Sequence, residues 1–156
     1  MDIELKLALT TEDFDSAKTI IKEYGESLGF DLSFQNFFGE LTELKKHYFP
    51  PIGVLVLADS GSDSIGCVCV TKWRDSIAEL KRFYVKPLFR GSGIGNRLLD
   101  SALENVRPLG YKKIRLDTIP NMKAAQRLYL AHGFYFIEPY CYHPIKGTLY
   151  MEKLLQ

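Results

Sequence analysis

Arg90, Gly91, Ser92, Gly93, Ile94, Gly95 and Asn96 are the residues of this chain whose types and spacing most directly imply chemistry. Three glycines at alternate positions follow a strand-like run, Arg82 to Val85, that breaks at Pro87. An apolar helical pattern then begins and continues to about Arg107. A glycine-rich turn that opens a helix leaves backbone N–H groups unpaired at the positive end of the helix dipole. Such a turn binds anions, usually phosphate or pyrophosphate. Glycine lacks a Cβ, so a bulky anion can approach the backbone. Arg90 adds a planar donor fork matched to phosphate oxygens. A capping turn that binds nothing needs fewer glycines than these three.

Two familiar phosphate loops do not fit. The P-loop requires a Lys-Ser/Thr pair after its last glycine, and none follows Gly95. With no magnesium-binding partner in view either, an ATP-binding reading is disfavoured. The dinucleotide fingerprint requires Gly-x-Gly-x-x-Gly. Counted from Gly91, its third glycine falls at Asn96, and counted from Gly93 the pattern fails after Gly95.

Composition bounds the remaining choices. At 156 residues the chain can bury the core of one domain, and a single domain over 1–156 is expected. Apolar residues make up 46% and charged residues 25%, as in ordinary globular proteins. A net charge of +1 gives no pull toward nucleic acid or an anionic membrane, and neither partner is expected. No apolar run approaches the roughly 20 residues of a membrane span. The start, Met-Asp-Ile-Glu-Leu-Lys, shows no signal-peptide apolar region. Three cysteines, an odd number, suit a reducing cytoplasm. Cys67 and Cys69, with His132 and His143, invite a metal reading. Their Cys-x-Cys spacing departs from the zinc knuckle, and Ile65 to Val70 reads as a buried strand, so no metal is expected.

The elements that must position the loop follow from periodicity. Ile3 to Leu9 alternates like a strand. Thr10 to Asp13 offers N-cap chemistry, after which Phe14, Ala17, Ile20, Ile21 and Tyr24 recur at helical spacing. A weaker helix covers Phe34 to His47 and stops at Pro50-Pro51. Gly53 to Ala58 and Ser64 to Trp73 read as a hairpin around Asp59 to Asp63, and Ile77 to Lys86 as a third consecutive strand. After the loop and its helix come a strand over Tyr111 to Asp117 and a helix over Asn121 to His132. Strands over Phe134 to Glu138 and Thr148 to Leu154 finish the chain. The order β-α-α-β-β-β-α-β-α-β-β is an α/β sandwich: a mixed, mostly antiparallel central sheet with helices on both faces.

Arg90, Gly93 and Gly95 meet a further pattern, Arg/Gln-x-x-Gly-x-Gly/Ala. About 40 residues later the run Ala125-Gln126-Arg127-Leu128-Tyr129-Leu130-Ala131-His132-Gly133-Phe134 matches Ala-x-x-Leu-Tyr-x-x-x-Gly-Phe. Together these segments resemble the GNAT superfamily of N-acetyltransferases, specifically its small, bacterial-type, single-domain members. The match is specific from Glu79 to Phe134, and the element order is the family's order.

The resemblance implies acetyl-CoA as co-substrate and a small-molecule amine as acceptor, joined by direct attack in a ternary complex. A catalytically silent acyl-CoA-binding regulatory or sensor module stays open beside the enzyme. Pyrophosphate then belongs on Gly91 to Gly95, with Arg90 beside it and Asn96 and Arg97 in the first helical turn. Pantetheine pairs with the strand edge at Phe83, Tyr84 and Val85, and a backbone N–H, that of Val85, polarises the thioester carbonyl. Tyr129 occupies the position of the tyrosine that protonates the departing thiolate. A phenol of pKa about 10 gives its proton to a thiolate of pKa about 8.5 only with local tuning. Glu79, eleven positions before Arg90, stands where family members carry a strand carboxylate as general base. Ordered water is the alternative base, and a solvated charge or a core tyrosine is the plain reading of each side chain. Asn121 is either a cofactor contact or a helix cap.

The acceptor end is aromatic-rich. Phe34, Phe37, Phe38, Tyr48 and Phe49 come from one side and Tyr135, Phe136, Tyr140 and Tyr142 from the other. They line a pocket or fill the core. Arg74, Lys81 and Arg82 are candidates to pair a substrate carboxylate, which would favour an amino-acid-like acceptor. A homodimer is left open.

Overall fold

The computed structural model describes residues 2–155, so Met1 and Gln156, the ends of the expected 1–156 domain, lie outside the described residues. Seven strands form one sheet: β1 (Ile3–Leu7), β2 (Val54–Ser60), β3 (Asp63–Arg74), β4 (Ile77–Val85), β5 (Lys113–Thr118), β6 (Tyr135–Ile137) and β7 (Leu149–Leu154). Their spatial order is β1-β2-β3-β4-β5-β7-β6. Every neighbouring pair is antiparallel except β4 and β5. The expected mixed, mostly antiparallel sheet is what forms.

Alternation along the central strands builds two cores. Val54, Val56, Val68 and Val70 face α4 (Ile94–Val106) and α5 (Lys123–Ala131). Leu55, Leu57, Cys67 and Cys69 point the other way, against α1 (Thr11–Ser27) and α2 (Phe37–Thr42). Both faces of the central strands are covered, so they read as near-continuous apolar runs. Burying each large aliphatic side chain contributes roughly 1.5–3 kcal/mol. At the start of α1, Thr10 Oγ1 accepts from the Asp13 N–H at 3.1 Å while Asp13 accepts from the Thr10 N–H, a reciprocal capping box. Among the described residues no helix is long and apolar enough to cross a membrane.

One element differs from its expectation. The single helix over Phe34 to His47 is instead a turn of 3-10 helix at Ser33–Gln35, then α2, then α3 (Leu44–His47). Asn36 at φ 54° and Glu43 at φ −132° leave the helical region and break the run. Phe37, Leu41, Leu44 and Tyr48 still reach the core, which is why the periodicity looked continuous.

The feature that makes a site is the parting of β4 from β5. They pair only at Ile77–Lys113, Ala78–Ile114 and Glu79–Arg115. Beyond Glu79, β4 runs on to Val85 with no β5 partner, and a wedge opens in the sheet.

Candidate active site

A bulge in β4 starts the wedge. The β3–β4 register slips between Cys67–Tyr84 and Cys69–Lys81, and Arg82 sits at φ 58°. A left-handed residue without glycine's freedom costs about 1–2 kcal/mol. Ion pairing offsets that cost. Arg82 Nε and Nη2 donate to both oxygens of Glu40 at 2.9 Å, and Nη1 donates to Gln35 at 2.8 Å. Lys81 Nζ adds a third contact to Glu40 at 3.2 Å. Burial alone would raise the Glu40 carboxyl, but Arg82 and Lys81 overcome it and hold its pKa at about 2. The broken helix thus delivers Glu40 and Gln35 to the bulge.

Past the bulge, the free edge of β4 faces the wedge. Lys86 N–H donates to Ile65 O on β3 at 2.8 Å. Peptide groups alternate along a strand, so the Val85 and Phe83 N–H groups point the other way, toward the wedge. Arg90 Nε accordingly meets Val85 O from that side at 2.8 Å. The guanidinium lies over the Tyr84 ring at 5.5 Å, and the Tyr84 hydroxyl donates to Glu23 at 2.8 Å.

The glycine loop continues this edge. Gly91 and Gly93 have φ +84° and +85°, and a Cβ on either would meet open space. Gly93 is the N-cap of α4 and carries no capping side chain, and the first turn holds no acidic residue. The first-turn N–H groups therefore face outward without a partner from a cap. Gly95 serves differently: a Cβ there would lie 3.2 Å from Leu128 and 3.3 Å from Phe83, so it permits close packing of α4 on α5 and β4.

A groove of about 550 Å³ runs along these elements, lined by Phe83, Tyr84, Val85, Arg90, Gly91, Gly93, Ile94, Gly95 and Asn96. Asn121 and Ala125 close its other wall. Ser92 is exposed and turns its hydroxyl back to Phe89 O at 2.7 Å. An uncapped helix end, open glycines and a long groove suit a phosphate-bearing, extended cofactor.

A second cavity, about 70 Å³, opens at the apex of the wedge and shares Tyr24, Phe83, Met122 and Ala125 with the groove. It brings together Glu79 and Tyr129, which lie 50 positions apart. The Tyr129 ring packs on Phe83 and Phe134, with centroids 5.8 and 5.6 Å away. Burial, with no hydrogen bond to offset it, pushes the Tyr129 phenol well above its usual range. Glu79 is 8% exposed. Burial raises its pKa against the opposing influence of Lys81 and a hydrogen bond from Tyr140. Val85 lines the groove alone, whereas Phe83 lines both spaces.

Four further residues line or support the apex, two of which the sequence had singled out for other reasons, Tyr140 as an acceptor-side aromatic and His143 as a metal candidate. Tyr140 donates to Glu79 at 2.7 Å. Asp117, at the end of β5, also lines the apex, and burial raises its pKa. Thr118 Oγ1 is buried there without a hydrogen-bond partner. His143 closes the outer side with Phe30 and Phe34, at centroid distances of 5.7 and 5.0 Å. The signal for Asp117 was a charged residue ending an otherwise alternating strand. Nothing local marks the contact of Tyr140 with Glu79.

The expected carboxylate-binding role of Arg82 and Lys81 is corrected. Both are tied to Glu40, so neither is free to take a substrate carboxylate. Arg74 is exposed and stacks on Trp73 at 5.5 Å, away from both cavities. Among the aromatics, Phe37 and Tyr48 are core, Phe34 meets Tyr142 at 6.2 Å, and Tyr135 and Phe136 are exposed on β6. Cys67 and Cys69 are buried in β3, where burial pushes the Cys67 thiol up to about 12. His132 is engaged elsewhere, by Leu128 O and Asp100, each at 2.8 Å.

Comparison with known proteins follows the same lines. The model of the acetyltransferase (GNAT) family matches residues 17–134. An uncharacterized N-acetyltransferase of Schizosaccharomyces pombe is 35% identical over 153 residues, covering 97% of this chain and 94% of that protein. A GNAT-family acetyltransferase structure from Staphylococcus aureus superimposes with a TM-score of 0.80 at 19% identity, over 99% of this chain and 100% of that one. The PaiA N-acetyltransferase of Thermoplasma acidophilum, solved in complex with coenzyme A, gives a TM-score of 0.71 at 19% identity, over 99% of both chains.

Proposed function

The chain belongs to the acetyltransferase (GNAT) family and is an N-acetyltransferase, and from that premise we propose that residues 1–156 form one cytoplasmic domain that acetylates the amine of a small molecule by direct attack on acetyl-CoA. One observation carries this reading: a groove from the uncapped end of α4 along the free edge of β4 adjoins, across Tyr24, Phe83, Met122 and Ala125, an apex cavity lined by both Glu79 and Tyr129.

The residues divide the work. The N–H groups of Gly91 to Gly95, with Arg90 and Asn96, hold the pyrophosphate of CoA, and the edge at Phe83, Tyr84 and Val85 pairs with its pantetheine arm. Bound acetyl-CoA supplies the activated acyl group. In place of the Val85 N–H expected from the sequence, which faces the arm, the Phe83 N–H on the same side of β4 polarises the thioester carbonyl, since Phe83 borders both cavities. Glu79 takes a proton from the acceptor ammonium, and burial makes it a stronger base than an exposed carboxylate. Tyr129 delivers a proton to the departing sulfur. Its raised pKa keeps the phenol protonated until a thiolate forms beside it.

The test is chemical. Incubation with acetyl-CoA and a panel of amines should release CoA thiol and give acetylated amine, read by mass spectrometry in equal amounts. Saturable acetyl-CoA binding without acetylated product from any amine would favour the silent acyl-CoA-binding module.

A further inference from the structure

The apex cavity carries more acid than its surroundings neutralise. One carboxylate oxygen of Glu79, one of Asp117 and the Cys141 sulfur all lie within 4.8 Å of one another. Among the described residues neither carboxylate has an ion-pair partner. The cations beside them, Lys81 and Arg82, bind Glu40 at 3.2 and 2.9 Å. Three carboxylates, Glu40, Glu79 and Asp117, therefore share two cations. A further ionisable neighbour, His143, is held toward its neutral form by burial. Buried charge of one sign requires a counter-charge or a proton, and with both Glu79 and Asp117 ionised the cavity is short of one positive charge.

A second observation is independent of the charges. Thr118, 4% exposed, borders the same cavity, and its hydroxyl is buried with no partner. A buried hydroxyl left unpaired costs free energy, a cost that a polar group seated beside Thr118 would relieve. The wall outside this polar centre is apolar and partly aromatic, formed by Leu28, Phe30 and Leu32 with His143, whose ring stacks on Phe30 and Phe34.

Resting on the acetyltransferase reading, we propose that Asp117 and Glu79 together bind the ammonium of the acceptor, and that the acceptor is a primary amine with an apolar or aromatic body and no carboxylate on its α-carbon. Tyr140 occupies one oxygen of Glu79, leaving the other for the ammonium. Once Glu79 has taken one proton, Asp117 holds the remaining N–H groups while the nitrogen lone pair turns to the thioester. An α-carboxylate entering here would add a negative charge beside Asp117, and the guanidinium that could receive it is closed by its fork with Glu40.

Paired substrates test this directly. Thiol release is measured at saturating acetyl-CoA with phenethylamine, tyramine, tryptamine and histamine, each against its parent amino acid, and with the methyl ester of phenylalanine. The expected kcat/KM is higher for each accepted amine than for its amino acid by about 100-fold or more, with the ester recovering most of the loss. Asp117→Asn should raise KM for the amines by about 10-fold, narrow the gap within pairs, and leave the acetyl-CoA Kd unchanged. Equal kcat/KM within pairs, or an unchanged KM in folded Asp117→Asn, overturns the inference while the acetyltransferase reading stands. Should Asp117→Asn not fold, the wild-type pairs decide alone. Absence of product from every compound, with acetyl-CoA bound, overturns both. Activity lost in EDTA and restored by a divalent ion would assign the acidic pair to a metal and overturn the inference.

Discussion

The hydroxyl of Tyr140 donates a 2.7 Å hydrogen bond to the carboxylate of Glu79 across 61 residues of sequence. Glu79 comes from β4 and Tyr140 from the segment between β6 and β7, so the contact fixes the proposed base from the far side of the sheet. Tyr140 is itself braced by Trp73 and Tyr150, with centroids 5.1 and 5.3 Å away, and by Arg115 over its ring. The carboxylate is thus oriented by a group that cannot rotate freely.

Tyr140→Phe should therefore act through Glu79. Removing a donor that favours the carboxylate form raises the Glu79 pKa further. The acidic limb of the kcat/KM profile should move to higher pH, while the acetyl-CoA Kd stays fixed. An unmoved limb would mean that Tyr140 only packs.

Arg82 and Glu40 should control stability. Arg82→Met strands a buried carboxylate and releases the bulge, at a cost of about 3–5 kcal/mol. Arg82→Met combined with Glu40→Leu should recover much of that loss. The acid dependence has a definite sign. The Glu40 pKa falls from 4.5 to about 2 on folding. That shift corresponds to about 3 kcal/mol, present above pH 4.5 and lost as pH falls through 2. Melting curves of wild type and Glu40→Gln between those limits should converge as the pH drops.

Gly93→Asp should abolish cofactor binding. The substitution puts a carboxylate at the uncapped end of α4, and its φ of +85° adds strain of about 1–2 kcal/mol. Wild type at an acetyl-CoA level of about 100 times Kd gains about 2.7 kcal/mol of stability. A folded Gly93→Asp protein should show no such thermal shift, and a retained shift would remove the phosphate role from this loop.

Sequence carried the frame further than the site. The apolar run over Gly53 to Ala58 with the turn after it, and the glycine spacing at 91, 93 and 95, pointed to the hairpin and the groove because these are local patterns. The glycines still looked equivalent, and only tertiary contacts separate Gly95, packed on Phe83 and Leu128, from the open Gly91 and Gly93. Arg82 and Lys81 read as free cations because their partner, Glu40, lies 42 and 41 positions away. Asp117, and the bond from Tyr140 to Glu79, escaped for the same reason. Their roles arise where β4 and β5 part, and no spacing along the chain encodes that juxtaposition.

Tyr129→Phe separates chemistry from packing. The ring contacts with Phe83 and Phe134 survive, and only the hydroxyl is lost. The proton-donor role predicts a fall in kcat of about ten- to a thousand-fold with melting nearly unchanged. Intact kcat with a lower Tm would make Tyr129 a core residue.

The central claim, that the acidic apex of the wedge deprotonates an amine for acetyl transfer, is tested most directly by the pH dependence of kcat/KM in wild type and Glu79→Gln. Wild type should show an acidic limb with an apparent pKa above the ordinary glutamate value of 4.5, as burial of Glu79 requires. Glu79→Gln should lose that limb, with a lower rate that climbs steadily with pH as free amine and hydroxide replace the base. A wild-type profile retained in Glu79→Gln, with acetyl-CoA still bound, would contradict the account and assign proton removal to another group.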